Sequence, residues 1–423
     1  MPPPPPALPD ELLEEIFLRF PPDEPACLVR ASVVSNLWLN ILTGARFRGL
    51  YREIHGAPPM LGFIYSCPKD DHVPEEDNNL PRFVATAKFN VPIPAVEDWR
   101  GWHKDYAAWD CRHGRVLFSN NDVIPMPLVV WDPMTGSRRL MYAPEDYDSS
   151  GAAVVCSATA TGCDHRASRA CPFQVVFVGM YNTEGGCVAY ARVSLPYMGE
   201  WSESCPPLDL PTKGTFFVDN SPPIFIKDAL CFMLTYDYHE DHEGDNNNIA
   251  ILNYDLGSSC LSLIDGPPVG TCMEGQMVLM AMEDASLGFA HVDGITLNLW
   301  SRHMGSNGVM TWTQRRVINL KTLLLIQNPN EKLRLIGSVE YKNIIFVSMD
   351  LNIYEINLKT LQWKKIWKRK HCRALFPYMS FYNPPGMYLC MNIFFYLIAT
   401  LTLFNGTNKM FNWIESYIRC FIL

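Results

Sequence analysis

The chain has 423 residues, with 35 Lys and Arg against 44 Asp and Glu, a formal net charge of −9. That acidic balance argues against general nucleic-acid binding, and 48% hydrophobic with 19% charged residues excludes a wholly disordered or fibrous chain. The length suits two or three domains.

Met1 is followed by Pro2 to Pro6, so residues 1–7 read as an extended proline-rich lead, because proline lacks the backbone donor and fixes φ. From Asp10, a plausible N-cap, Leu12, Leu13, Ile16, Phe17 and Phe20 fall on one helical stripe, with Glu11, Glu14, Glu15 and Arg19 largely off it. Pro21 and Pro22 stop this helix. Asp23, Glu24 and Pro25 open a second that carries Leu28, Val29, Val33 and Val34. A third runs through Leu37, Trp38, Ile41 and Leu42, and Gly44 is placed to end it. The helical module is expected over residues 8–50. Periodicity is then lost over 56–100, where prolines gather with Asp70, Asp71, Glu75, Glu76 and Asp77, so 51–104 reads as a linker that packs only in places.

From 105 to 384 the pattern is all-β. Short apolar or alternating runs at 116–118, 128–131, 175–178, 224–226, 249–254 and 344–347 are broken by Gly, Asp, Asn and Pro. A weak unit recurs in which a strand ends in Asp or Asn, a turn follows, and a second strand begins. It is seen around Trp131-Asp132-Pro133-Met134-Thr135-Gly136, Asn253-Tyr254-Asp255-Leu256-Gly257 and Glu355-Ile356-Asn357-Leu358-Lys359-Thr360. The physical sense is a hairpin whose acidic or amide side chain bonds its own backbone. At a kelch-like ~50 residues per four-stranded blade, the span holds about six blades. The fold class expected is therefore α+β multidomain, a small all-α module followed by an all-β, propeller-like domain at 105–384, with a divergent apolar tail at 385–423.

The start Leu8-Pro9-Asp10-Glu11-Leu12-Leu13-Glu14-Glu15-Ile16-Phe17-Leu18-Arg19-Phe20-Pro21, then Leu28-Val29-Arg30-Ala31-Ser32-Val33-Val34-Ser35 and Trp38, resembles an F-box. Asn36, where the family usually has Lys or Arg, and Phe20, where Leu is commoner, depart from the pattern. Further segments extend the likeness. Tyr51-Arg52-Glu53-Ile54-His55-Gly56, Asp110-Cys111-Arg112-His113-Gly114-Arg115, Leu287-Gly288-Phe289-Ala290 and Phe376-Pro377-Tyr378-Met379 look like parts of a large family of grass F-box proteins with an associated β-propeller-like region.

The resemblance implies docking on a Skp-family adaptor, and through it a cullin. It makes Leu8, Pro9, Leu12, Leu13, Ile16, Phe17, Leu28, Val34 and Trp38 the adaptor-contacting positions, with Ile16 and Phe17 facing the adaptor or knitting the module and Trp38 also suited to the module's own core. A module of about 40 residues is too small to bury all its apolar surface, which is compatible with a partner.

Other constellations read as structure more readily than as chemistry. Cys163, His165 and Cys171, near Cys156, offer zinc donors at a spacing that makes no paired knuckle, so no metal is expected. Asp237, His239, Glu240, Asp241, His242, Glu243 and Asp245 lack the ligand alternation of a calcium loop and read as a solvated loop. Trp99, Trp102, Trp109, Trp131 and Trp201 read as packing between blades rather than as an aromatic surface. Phosphate loop, nucleophile elbow and H-E-x-x-H motifs are absent. Fourteen cysteines are diluted over the chain and no signal peptide is legible at the start, so reduced thiols in cytoplasm or nucleus are expected.

At the other end Lys364, Lys365, Lys368, Arg369, Lys370 and Arg373 form a basic cluster ahead of an apolar run at 387–404, barely long enough to span a bilayer. The tail reads first as a divergent or mis-spliced terminus and second as a membrane anchor; the cluster reads as the face of a last hairpin or a nuclear-localisation patch. Together these readings give a non-catalytic substrate receptor of a ubiquitin ligase with an unknown target protein, no cofactor and no nucleic acid. A membrane-tethered interaction protein and a propeller lectin or enzyme are the alternatives.

Overall fold

The computed structural model describes residues 8–66, 82–85, 106–144, 147–157, 172–183, 186–194, 200–211, 214–238, 249–270, 272–273, 275–305, 308–326, 332–349, 351–368 and 372–382. Helices α1 (Asp10–Leu18), α2 (Pro25–Ser32), α3 (Asn36–Thr43) and α4 (Ala45–His55) form one compact unit, and the strands form another. Pro9, not Asp10, occupies the N-cap of α1, and Asp10 and Glu11 sit in its first turn, where the helix dipole favours negative charge. Pro25 stands at the start of α2, as its fixed φ suits. The Ser35 hydroxyl caps α3 by accepting the Trp38 N–H at 3.2 Å, and Gly44 ends it. Helix α4 crosses the boundary expected at residue 50, and Gly56, with φ of +67°, ends it by donating its N–H to the Arg52 carbonyl at 2.8 Å.

The segment expected as a linker is not one throughout. It contains β1 (Met60–Ser66) and β2 (Arg82–Ala85), and β1, paired with a strand on each edge, is buried along most of its length. Four-stranded antiparallel sheets follow: β3 (Ala107–Arg112), β4 (Arg115–Ser119), β5 (Pro127–Trp131) and β6 (Arg138–Tyr142), then β7 (Ser149–Cys156), β8 (Phe173–Thr183), β9 (Gly186–Val193) and β10 (Leu208–Asp209). The third sheet has its first strand split into β11 (Gly214–Val218) and β12 (Ile224–Ile226), both pairing β13 (Ala229–Tyr238), with β14 (Ile249–Asp255) and β15 (Cys260–Asp265) outside.

The fourth holds β16 (Met277–Ala281), β17 (Leu287–Asp293), β18 (Thr296–Met304) and β19 (Met310–Asn319). A short helix, α5 (Leu320–Leu324), leads to the fifth, β20 (Leu333–Val339), β21 (Ile344–Met349), β22 (Asn352–Asn357) and β23 (Trp363–Lys368). The last strand, β24 (Ala374–Met379), returns to pair with β1, so the sixth sheet joins the two ends of the β region.

The first strands form a closed ring. β24 lies beside β3, β3 beside β7, β7 beside β11, β12 beside β16, β16 beside β20, and β20 beside β24. This is a six-bladed β-propeller, the blade number expected from the repeat length. Side chains alternate across each strand, so neighbouring residues feed different seams. Val154 packs in the core between the first and second blades, and Val155 in the core between the second and third.

The recurring sequence unit falls at the turn between the third and fourth strands of blades one, three and five. Asp132 Oδ1 accepts the Met134 N–H at 2.9 Å, Asp255 Oδ1 the Ser258 N–H at 2.7 Å, and Asn357 Oδ1 the Thr360 N–H at 2.9 Å. These bonds hold the Asp255 carboxyl below its ordinary range.

Candidate docking surface of the helical module

Four short helices must make a core from few residues. Leu13, Phe17 and Leu18 of α1 turn inward with Leu28 and Val29 of α2, Leu39 and Leu42 of α3, and Phe47 and Tyr51 of α4, all buried. Phe17 meets Trp38 edge-on at 5.0 Å and Phe20 at 5.7 Å. Tyr51 closes the module by donating its hydroxyl to the Phe20 carbonyl at 2.8 Å, and burial raises that hydroxyl's pKa. A His55 ring nitrogen lies 2.9 Å from the Leu18 carbonyl.

The adjoining side of α1, about 100° round the helix, is also apolar. Leu12 and Ile16 stand one helical turn apart and stay 46% and 43% exposed, and Leu8 and Pro9, ahead of the helix, are exposed too. A second apolar strip lies at the corner between α2 and α3, where Val33, Val34 and Leu37 are exposed. Of the positions expected to touch an adaptor, the structure places Leu8, Pro9, Leu12, Ile16 and Val34 outward and Trp38 half-buried against Phe17. Leu13 and Leu28 are corrected: each is buried in the module's own core and offers a partner no free surface, and Phe17 knits that same core. Val33 and Leu37, not expected as contacts, are outward; the signal available was their place at a helix corner where the module's own core cannot reach both faces.

Full burial of an exposed Leu, Val or Ile against a partner is worth about 1.5–3 kcal/mol. Two acidic side chains of α1 are paired. Arg19 meets Glu15 at 2.5 Å, and Arg46 meets Glu14 at 3.4 Å.

The propeller carries a buried ionic network. Both carboxylate oxygens of Asp110 accept from Arg112 Nη1 at 2.5 Å, and Asp110 Oδ2 also accepts the Val154 N–H at 2.8 Å. Arg112 Nη2 donates to the Pro223 carbonyl and to Glu340 Oε1, each at 2.6 Å, and Glu340 Oε1 accepts the Phe225 N–H at 2.8 Å. The network ties blades one, two, three and five together. Burial pushes the Asp110 carboxyl up to about 6, Arg112 and the Val154 N–H pull it down, and Glu340 adds to the rise.

Trp131 is buried, and Trp109 and Trp201 pack against the core between blades one and two, the Trp201 ring nitrogen donating to the Tyr142 carbonyl at 2.7 Å. Cys156 is buried on β7, and Asp237 lies on β13. Cys163, His165 and Cys171, the acidic positions from His239 to Asp245, Trp99, Trp102, Arg369, Lys370 and the run at 387–404 lie outside the described residues. Among the described residues no three His, Cys, Asp or Glu side chains cluster as metal ligands, and no helix is long and apolar enough to cross a membrane.

Residues 6–48 match the family profile of the F-box domain. No curated protein matches the chain. Among solved structures, a luciferin-regenerating enzyme is 8% identical over 65% of this chain and 79% of its own, with a TM-score of 0.34. TolB from Acinetobacter baumannii is 12% identical over 83% and 73%, with a TM-score of 0.33. The Aleuria aurantia lectin is 12% identical over 63% and 79%, with a TM-score of 0.35. None of these likenesses carries function to this chain. What the helices, the ring of sheets and the profile match establish together is a chain with an N-terminal F-box domain and a six-bladed β-propeller body.

Proposed function

We propose that this chain is the substrate-receptor subunit of an SCF-type ubiquitin ligase, its F-box docking on a Skp-family adaptor and its propeller holding a target protein. The observation that carries the reading is the outward strip Leu8, Leu12 and Ile16, on a helix whose other face already fills the module's core, within the segment that matches the F-box. An apolar strip of this kind is stabilised by a partner. Leu8, Pro9, Leu12, Ile16, Val33, Val34 and Leu37 are the contacts proposed. The chain then supplies no bond-making group; it raises the effective concentration of target lysines at a ubiquitin-conjugating enzyme bound through the cullin. The resemblance of segments such as 51–56 and 110–115 to grass F-box proteins supports a plant Skp-family adaptor as the partner, acting in cytoplasm or nucleus.

Capture of the full chain on an immobilised plant Skp-family adaptor tests this, with Leu12→Asp/Ile16→Asp as the variant because both side chains are exposed and tolerate charge without unfolding the module. Retention of the wild type and loss of the variant, with an unchanged circular dichroism spectrum, is the expected result. Equal retention of both, or of neither, overturns the proposal.

A further inference from the structure

The basic run at 364–373 is not among the adaptor contacts proposed above. Its first five residues, Lys364 to Lys368, belong to β23, the last strand in the order of the fifth blade, so one rim of that strand's backbone N–H and C=O groups has no strand beside it among the described residues. Pairing with β22 sets the side chains. Trp363 opposite Ile356, Lys365 opposite Tyr354 and Lys368 opposite Asn352 share one face; Lys364 opposite Glu355 and Trp367 opposite Ile353 share the other, with the register shift between Ile353 and Tyr354 making the change of side. Trp363 stands edge-on to Tyr354 at 5.7 Å and Trp367 edge-on to Phe63 at 6.5 Å, yet the two indoles remain 40% and 39% exposed. Lys364 is engaged with Glu355 at 3.0 Å, whereas Lys365 and Lys368 have no acidic partner among the described residues.

We propose that the free rim of β23 is a docking strand for an acidic, extended segment of a protein partner, which adds to blade five as a further antiparallel or parallel strand. As the target-binding element of the receptor it rests on the function proposed above; the binding itself needs no adaptor. Charge chooses the occupant. The chain carries a net −9, but β23 has three lysines and no acid, so the edge repels another basic edge and attracts an acidic one. Strand addition supplies affinity through main-chain bonds, and alternate side chains then read Lys365 and Lys368 on one face and cover the two indoles at its flanks. Lysines beside exposed indoles also suit a single nucleic-acid strand, but a phosphodiester backbone cannot both donate and accept in the strand's alternation.

The test uses the full-length protein and a short fluorescein-labelled peptide of alternating Glu and Val, read by anisotropy, with hydrogen exchange followed on the β23 amides. Binding with slowed exchange at β23 is expected. A Lys/Val peptide should not bind, and a central proline, which removes a donor, should weaken binding. Lys365→Glu/Lys368→Glu, two exposed changes compatible with folding, should weaken binding roughly tenfold, an effect that shrinks with salt. Absence of binding, equal binding by the double variant or by the proline peptide, unchanged exchange at β23, or tighter binding of labelled oligothymidylate each overturns the proposal. Adaptor capture of the wild-type protein separates the two readings. Absent peptide binding by the wild type with capture intact strikes only the docking-strand claim, whereas failed capture with peptide binding intact leaves the docking strand and removes its ligase role.

Discussion

Arg112 and Glu340, 228 residues apart, meet at 2.6 Å inside the propeller, and the same guanidinium is held by Asp110. One cation thus compensates two carboxylates in a site from which water is largely excluded. Removing it is costlier than removing either acid. Arg112→Leu leaves both carboxylates without their cation and should destabilise the propeller by about 3–5 kcal/mol. Replacing all three by apolar residues of similar size should recover much of that loss, since well-packed apolar groups carry no desolvation penalty. Urea midpoints followed by tryptophan fluorescence measure both. A loss under about 1 kcal/mol for Arg112→Leu would mean that solvent reaches the network.

Phe17→Ala and Ile16→Asp, one residue apart, should fail in different ways. Phe17 is buried and packed on Trp38 and Phe20, so its truncation should cost about 3–5 kcal/mol and lower helical signal and adaptor capture together. Ile16 is exposed, so its charged variant should keep the melt and lose the adaptor. Circular dichroism melts beside the capture assay distinguish the outcomes, and an Ile16→Asp protein that unfolds would place this side chain in the core.

Helical period made α1 legible, but not which of its sides faces inward. Leu12 and Leu13, like Ile16 and Phe17, are adjacent apolar pairs about 100° apart, and a stripe that wide serves core and partner alike. The Asx turns at Asp132, Asp255 and Asn357 were legible because they are local chemistry. β1 and β2 were not, since the prolines and acids after Ser66 dominate the local composition and β1 owes its place to β24, at the far end of the propeller. The ionic network was hidden for the same reason: Asp110 and Arg112, two apart on a strand, look like a solvated face until Glu340 is brought to them.

His291, buried on β17 between Met277 and Asn298, gives the fold a slope on the acid side. Burial lowers its pKa below the ordinary 6.5, with Asp293 opposing. The unfolded chain then takes up a proton near pH 6.5 that the folded chain refuses, so stability is present above that pH and is lost as pH falls through 6.5 toward the lower folded value. The urea midpoint of the wild type should therefore fall more between pH 7.5 and pH 5.5 than that of His291→Gln. Parallel profiles would show that the imidazole is hydrated in the folded state.

Gly337 and Leu375 fix how closely the closing strand can approach its neighbour. A Cβ built on Gly337 of β20 would lie 2.3 Å from the Leu375 carbonyl oxygen of β24, and that oxygen is backbone, which no change of rotamer can move. Gly337→Ala should therefore pry β20 from β24 at a cost of about 1–3 kcal/mol, the range for overpacking. Gly49→Ala in α4, where nothing lies within 4 Å, is the contrast and should gain about 0.5–1 kcal/mol. Since β24 joins the ring chiefly by pairing with β1 and packing beside β20 and β3, the damage at Gly337 should appear first there, as faster amide exchange in β24 and β1 than in β8 or β13. Uniform acceleration over all six blades would mean instead that the ring opens as one unit and that closure by β24 is no weaker than any other seam.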